Sequence, residues 1–446
     1  MPNDSSNLKL RYRLPVMTCL IALFGSATLS DYAWYTIVGM VLANLVSIVA
    51  VVTGMQPAGS AADEYTARIG MIGGMFLKRI LTLFWAFAGL LAVGLYAGRL
   101  HDPDLIWGVM THDLLGPGAI GLMLVGVLSA SMSYLGAPAV SHSALFIRNL
   151  YRPWVRERSD AHYLFVGRVM IGITLTGGIF VALAADNLLE LFQYIISVPA
   201  IFGASIWLGF LWRRVTARAV IVQVVICLVI YTAIPTVFSS FDWARRNPSL
   251  LAETRPQMVT AQSGATQSDV AAGRAKAVGE PVQTRREMAA TGIFYDRVAR
   301  VNAAAPNSPK IGLGRFSAET WVLSWVGVDF SGFSRAQLSA TRFFFDALFP
   351  FVLLFGLSWM TTPVSRTVLD RCFARVHTPV QATAELDQAA VEASYANPAR
   401  FDGDKLFPRS QWEILKPSAQ DFVGFFGTCG LVGVVVMLLW LMVTVQ

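Results

Sequence analysis

The chain has 446 residues, 55% of them hydrophobic and only 14% charged, with a formal net charge of +7. That balance excludes an ordinary soluble domain and points to a polytopic membrane protein of the all-α class. The positive charge reads as that of loops lying beside anionic membrane lipid, not as a nucleic-acid surface.

Nine apolar stretches reach, or nearly reach, the roughly 20 residues that a bilayer core needs. They run over about residues 14–30, 35–54, 78–98, 119–147, 162–185, 188–212, 217–238, 342–361 and 421–445. Lys9, Arg11 and Arg13, then Arg68, Lys78 and Arg79, then Arg148, Arg152, Arg156 and Arg158, then Arg213, Arg214 and Arg218 fall on one side of this alternation. The other short loops offer only Arg99. The positive-inside rule then places the N-terminus in the cytoplasm, and nine spans place the C-terminus outside the inner membrane. Residues 1–13 are polar and the first apolar run continues into a second, so residues 14–30 read as a retained span and not as a cleaved leader.

The 119–147 span is crowded with small and hydroxylated residues. If Ser129 to Ser143 is helical, Ala130, Ser133, Tyr134, Ala137 and Ser141 share one face. Such a face inside a membrane wants a protein partner or an ion. Close packing is one reading, because Ser129, Ser133 and Ala137 form a ladder of small residues at intervals of four. A cation is the other. Pro138 cannot donate to the carbonyl of Tyr134, so it either bends this helix or leaves a backbone oxygen free on the Ala130 and Ser133 face. Pro199 likewise frees the carbonyl of Ile195 and predicts a kink in the 188–212 span. Arg213 and Arg214, where that span enters the cytoplasm, are expected to fix its orientation and meet lipid phosphates.

The expected domains are a transmembrane bundle over 1–238, an extracytoplasmic insertion over 239–341, a span over 342–361, a cytoplasmic loop over 362–420 and a final span over 421–446. The insertion is polar, rich in Ala, Arg, Gln and Ser and interrupted by prolines. It reads as part disordered and part amphipathic helix, with Phe316 to Phe333 at the membrane face. Asp346 sits about one turn into the next span, where a pair with Arg342 at i, i+4 explains it. Cys19, Cys227, Cys372 and Cys429 are far apart and read as small core residues. His101, His112, His142, His162 and His377 show no metal-ligand spacing, and Gly312-x-Gly314 is too isolated for a nucleotide fingerprint. No enzyme and no organic cofactor are indicated.

The segment Glu64-Tyr65-Thr66-Ala67-Arg68, the Ala130-x-x-Ser133 step, Ala144-Leu145-Phe146-x-x-Asn149-x-Tyr151 followed by Arg152-Pro153, His162-Tyr163, and Phe202-Gly203-Ala204 through Trp212-Arg213-Arg214 together resemble the sodium:solute symporter family, in its bacterial branch. The resemblance implies an inverted-repeat helical bundle built around a midplane site. It makes the 119–147 span the eighth core helix, which carries half of a sodium site. The family core Ala-x-Met-Ser-Ser-x-Asp is matched at Ala130 and Ser133, while Tyr134 and Gly136 depart from it. Tyr134 stands where a second hydroxyl ligand is expected, which argues for weakened coupling. By the same register the first four core helices are missing, and with them the broken helix that supplies the other half of the site. The resemblance therefore implies a secondary transporter for a small solute with sodium as coupling ion, completed by a separate polypeptide or an earlier start. The alternative is a non-transporting remnant or sensor module. The solute stays open among sugars, amino acids, carboxylates and nucleobase-like compounds.

Overall fold

The computed structural model describes residues 33–51, 59, 61–96, 105–184, 188–264, 273, 281–302, 305, 308–408 and 410–444. The 14–30 span lies outside the described residues, and each of the other eight expected spans coincides with a helix. Six stretches among the described residues are long and apolar enough to cross a membrane, while Trp34–Ala50 and Ile195–Leu211 are shorter apolar helices. The protein is a helical, multi-pass membrane protein. It divides into two compact units, one comprising Met1–Ile48 and Ile196–Val364, the other Val49–Ile195 and Ser365–Gln446.

In chain order the helices are α1 (Trp34–Ser47), α2 (Glu64–Tyr96), α3 (Ile106–Leu114), α4 (Pro117–Phe146), α5 (Asp160–Ala184), α6 (Leu188–Leu211), α7 (Ala217–Leu228), α8 (Ile234–Ser240), α9 (Ala318–Trp325), α10 (Arg335–Met360), α11 (Arg366–His377), α12 (Ala384–Ala396) and α13 (Ala419–Thr444). The insertion adds strands β1 (Gln257–Gly264), β2 (Pro281–Met288), β3 (Tyr295–Arg300) and β4 (Lys310–Phe316).

In the first unit, α1 lies along α10, with the Thr36 hydroxyl donating to the Ala336 carbonyl at 3.1 Å. Ala43, Val46, Ile196, Ala200, Phe343 and Ala347 form the apolar contact of α1, α6 and α10. Gly203 lets α6 touch the α1 backbone, because a Cβ there would lie 2.8 Å from the carbonyl carbon of Val46. Thr216 caps α7 by accepting from the Ala219 N–H at 3.2 Å, and buried Gln223 donates to the Ile201 carbonyl at 2.9 Å. Between α7 and α8 the chain widens into a π-helical turn, Val229–Ala233, just before Pro235. A proline lacks the N–H for the Tyr231 carbonyl and its ring crowds that carbonyl, and the wider turn relieves both. At the other end of this unit, Arg214 donates to the Trp359 carbonyl at 3.3 Å, and the Thr216 and Thr361 hydroxyls meet at 2.6 Å. An arginine so placed satisfies one of the free carbonyls at the end of α10 and complements its dipole.

The insertion departs from expectation. Its described part is built on two antiparallel hairpins, β1 with β2 and β3 with β4. Tyr295 and Phe316 are fully buried and pack with Phe238 and Trp321. The Tyr295 hydroxyl donates to the Phe238 carbonyl at 3.0 Å, and Thr320 donates to the Ile293 carbonyl at 2.9 Å. These bonds seat the hairpin on the end of α8. Among the insertion's described residues, helix is confined to α9, short turns and the first turns of α10. Gly314, at φ +80°, supplies a backbone conformation that a β-branched residue would strain.

In the second unit, α4 packs on α5 where the Ser143 hydroxyl donates to the Gly167 carbonyl at 3.0 Å. Arg68 on α2 donates to Asp421 at the start of α13, at 3.0 Å. The apolar side chains of α2, α4, α5 and α13 are largely exposed, as helices facing hydrocarbon would be. The loop expected over 362–420 is folded: the Thr378 and Ser394 hydroxyls join α11 to α12 at 2.7 Å, and buried Lys405 bonds Glu413 at 3.0 Å and Asp402 at 2.7 Å. Of the cysteines, Cys227 is buried as expected, Cys372 and Cys429 are exposed, and Cys19 lies outside the described residues. Exposure of Cys429 follows from its place on the bare flank of α13, and that of Cys372 from the solvent side of α11.

Candidate functional site

Helix α4 continues unbroken through Pro138, so the expected face exists: Ala130, Ser133, Tyr134, Ala137 and Ser141 follow one another along it. The face divides into two parts. Toward the C-terminal end, Ala139, Ser141 and Ser143 are buried, and the hydroxyl of Ser141 turns back to the Ala137 carbonyl at 2.7 Å. Toward the middle, Ala130 and Ser133 are exposed and Tyr134 is 71% exposed. Ser131, off this face, donates to the Val127 carbonyl at 2.9 Å. The structure thus keeps Ala130, Ser133 and Tyr134 together on one helix and, among the described residues, brings no second helix of that unit over them. Packing accounts for the Ser141 and Ser143 end, and the Ala130 and Ser133 end has an open polar face.

Beyond Phe146 the helix widens into a second π-helical turn, Ile147–Tyr151. Such turns displace side chains from the regular helical register. Here the turn brings the Tyr151 hydroxyl to His162 Nε2 at 2.8 Å, while the Tyr163 hydroxyl donates to the Val155 carbonyl at 2.8 Å. The Arg152 guanidinium lies 5.5 Å from the centre of the Tyr163 ring. These contacts give a physical role to motifs that the sequence offered only as a resemblance: they fix the corner between α4 and α5, and so the rotation of α4.

Pro199 lies within α6, two residues after buried Ser197. Arg213 and Arg214 are half-buried in the turn after α6, with Arg214 held by the end of α10.

Asp346 is the residue whose placement differs most from expectation. Helix α10 begins at Arg335, with a capping box formed by Ser334 and Gln337, so Asp346 is near the middle of a 26-residue helix. Arg342 does not pair with it. That arginine reaches Asp296 on β3 at 3.2 Å, and Asp346, 2% exposed, accepts from the hydroxyl of Ser197 instead. The hairpin supplies Arg342 with an acid, and an arginine four residues N-terminal to an aspartate is in the weaker order for a helical pair. No group of three or more metal-type side chains occurs among the described residues.

The family model described as "Sodium:solute symporter family" matches residues 18–226, a stretch that contains α4, α5 and α6. Over this stretch the chain is similar to the sodium:solute symporter family. It is 26% identical over 148 residues to the osmoregulated proline transporter OpuE of Bacillus subtilis, covering 32% of this chain and 30% of that protein. It is 26% identical over 166 residues to the sodium/proline symporter of Salmonella typhimurium, covering 33% of each, and 25% identical over 166 residues to that of Escherichia coli, covering 33% of each. The chain thus spans about a third of the length of these relatives. No solved structure matches it significantly. Ala130, Ser133, Tyr134, Pro138, Pro199, Arg213 and Arg214 all lie inside the stretch matched to the symporter family, and Asp346 lies outside it.

Proposed function

We propose that the protein is a secondary active transporter that moves a small solute across the cytoplasmic membrane with sodium as the coupling ion. One observation carries this reading: the stretch matched to the symporter family includes a helix, α4, whose Ala130 and Ser133 stand on an open polar face in a transmembrane segment. In the proposed site the Ala130 carbonyl and the Ser133 hydroxyl are sodium ligands. Tyr134 carries its hydroxyl at the far end of a ring and does not replace a second short-armed ligand, so coupling is weakened. The Tyr134 carbonyl, which Pro138 cannot engage, partly compensates. The names of the relatives make proline the first solute to test.

The proposal includes nine spans in an inverted-repeat bundle, a cytoplasmic N-terminus and an extracytoplasmic C-terminus. It keeps the partition into a bundle over 1–238, an outer insertion over 239–341 and an inner loop over 362–420. The nearness of Arg214 to the end of α10 supports one shared side for the 213–218 turn and the 361–365 segment. Nothing in the comparisons supports a separate polypeptide supplying further core helices, and the proposal does not include one.

The test is uptake by the full chain in proteoliposomes, with labelled proline and a panel of sugars, carboxylates, other amino acids and nucleobases, under an imposed sodium gradient. Uptake that collapses when potassium replaces sodium is expected for one of these classes. No uptake under any gradient would leave the remnant or sensor reading in its place.

A further inference from the structure

We propose that Asp346 and Ser197 form an intramembrane proton-binding site at the junction of α6 and α10, separate from the sodium reading of α4 and independent of it. Asp346 is 2% exposed and Ser197 3% exposed, and the hydroxyl of Ser197 meets Asp346 Oδ2. The other carboxyl oxygen, Oδ1, is buried and has no hydrogen-bond partner among the described residues. On the same two helices Ile196, Ala200, Phe343 and Ala347 belong to one buried apolar cluster.

The ionisable groups facing Asp346 come from every element around it: Cys227 on α7, Tyr231 in the π-helical turn, Arg315 on β4, Glu319 on α9 and Arg342 on α10 itself. Neither arginine neutralises it. Arg315 is 2.7 Å from Glu319, and Arg342 is engaged by Asp296 at 3.2 Å. Tyr231 gives its hydroxyl to the Phe345 carbonyl at 3.5 Å. Among the described residues Asp346 makes no ion pair, and Glu319 adds a further negative neighbour.

An ionised carboxylate in such surroundings lacks both a counter-charge and the several donors that would stabilise it. A neutral carboxyl needs far less. Its O–H donates to Ser197 Oγ in place of the bond that the serine now gives to it, and a helical serine hydroxyl has the carbonyls of its own helix as alternative acceptors. The remaining carboxyl oxygen tolerates having no partner far better than a charged one does. A metal ion would want about six oxygens, and no group of three or more metal-type side chains occurs among the described residues. The chemistry of the site is therefore that of one proton, bound by forming an O–H bond on Asp346 and released to water when the carboxylate re-forms. Because Ser197 and Asp346 belong to different helices, release of the proton leaves a charge at the α6 and α10 contact and loosens it.

The site is tested by infrared difference spectroscopy of the full chain in liposomes and by modification with dicyclohexylcarbodiimide, which reacts with un-ionised carboxyls in apolar surroundings. At neutral pH the wild type is expected to show the carbonyl band of an un-ionised acid that is lost in Asp346→Asn and shifted in Ser197→Ala. Mass spectrometry of the wild type should locate the carbodiimide adduct at Asp346. Labelling should fall about tenfold per pH unit once the group ionises, whether sodium or potassium is present. A band that survives in Asp346→Asn, or a wild-type chain unlabelled at Asp346 at neutral and acidic pH, would overturn the proposal. So would labelling blocked by sodium at constant pH, which would assign the site to a metal cation. The wild-type labelling decides the matter even if Asp346→Asn does not fold, and none of these readouts depends on solute uptake.

Discussion

Gly203→Ala tests how the first unit is assembled. A Cβ on Gly203 would lie 2.8 Å from the carbonyl carbon of Val46 and 2.9 Å from its Cγ1, and closer still to its carbonyl oxygen. Carbon contacts are relaxed at about 3.5–4.0 Å, so α6 and α1 must part by close to ~1 Å, which forfeits up to about half of each contact they share. The contacts at risk are those of Ala43, Val46, Ile196 and Ala200. Overpacking of this kind costs about 3 kcal/mol where a backbone atom is struck. The better helix propensity of alanine returns ~1 kcal/mol, so the net loss is about 2 kcal/mol. Gly209, in the same helix, has nothing within 4 Å of an added Cβ, and Gly209→Ala should keep the gain alone. The assay is thermal unfolding in detergent, read by a thiol dye at buried Cys227, with the other three cysteines replaced by serine. Gly203→Ala should expose Cys227 at a lower temperature than wild type and Gly209→Ala at the same or a higher one. Equal midpoints for the two variants would refute the close crossing of α1 and α6.

Three further outcomes are expected. Burial pushes the Tyr295 phenol up to about 12, above its unfolded value of about 10. The folded insertion therefore favours the neutral phenol, and the stability this contributes is complete below pH ~10 and lost as pH rises through ~12. Limited proteolysis of the insertion should accelerate across that window, and Tyr295→Phe should abolish the pH effect while costing about 1 kcal/mol. Lys405→Met leaves the 2%-exposed Glu413 without its ammonium partner, which should destabilise the 362–420 loop by about 3 kcal/mol, visible as faster backbone hydrogen exchange in α11 and α12. For topology, single cysteines at exposed Arg300 and Ala389, in a background without the native cysteines, should differ with an impermeant thiol reagent on intact cells. Labelling at position 300 alone is expected, and equal labelling of both would sink the nine-span topology; Ser394, being buried, is unsuited as a probe.

The long apolar runs made the spans legible, since little else produces some twenty residues with so few charges. Their beginnings were harder to read. Helix α2 starts at Glu64, well before the apolar run at 78–98, with the Asp63 carboxylate accepting from the Thr66 N–H at 2.7 Å. Likewise Ser334-x-x-Gln337 is a capping-box signature that lay in plain view. The apolar run alone begins at 342 and puts Asp346 one turn in beside Arg342, whereas the capped start at Arg335 puts it near the middle of the helix. The hairpins were illegible for a different reason. In β3 and β4 only Tyr295, Gly312 and Phe316 are buried, so no alternation of apolar side chains marks the strands. The α4 face was readable from spacing alone, because its residues share one helix. The Asp346 and Ser197 pair was not, because its members are 149 residues apart and meet only through packing.

The central claim, that α4 carries part of a sodium site in a transporter, is tested most directly by the sodium dependence of uptake in proteoliposomes for the wild type beside Ser133→Ala, Pro138→Ala and Tyr134→Ser. The first two variants should need more sodium for half-maximal uptake, and Tyr134→Ser should need less than the wild type. Uptake that ignores sodium in the wild type and all three variants would contradict the claim and leave α4 as a packing helix.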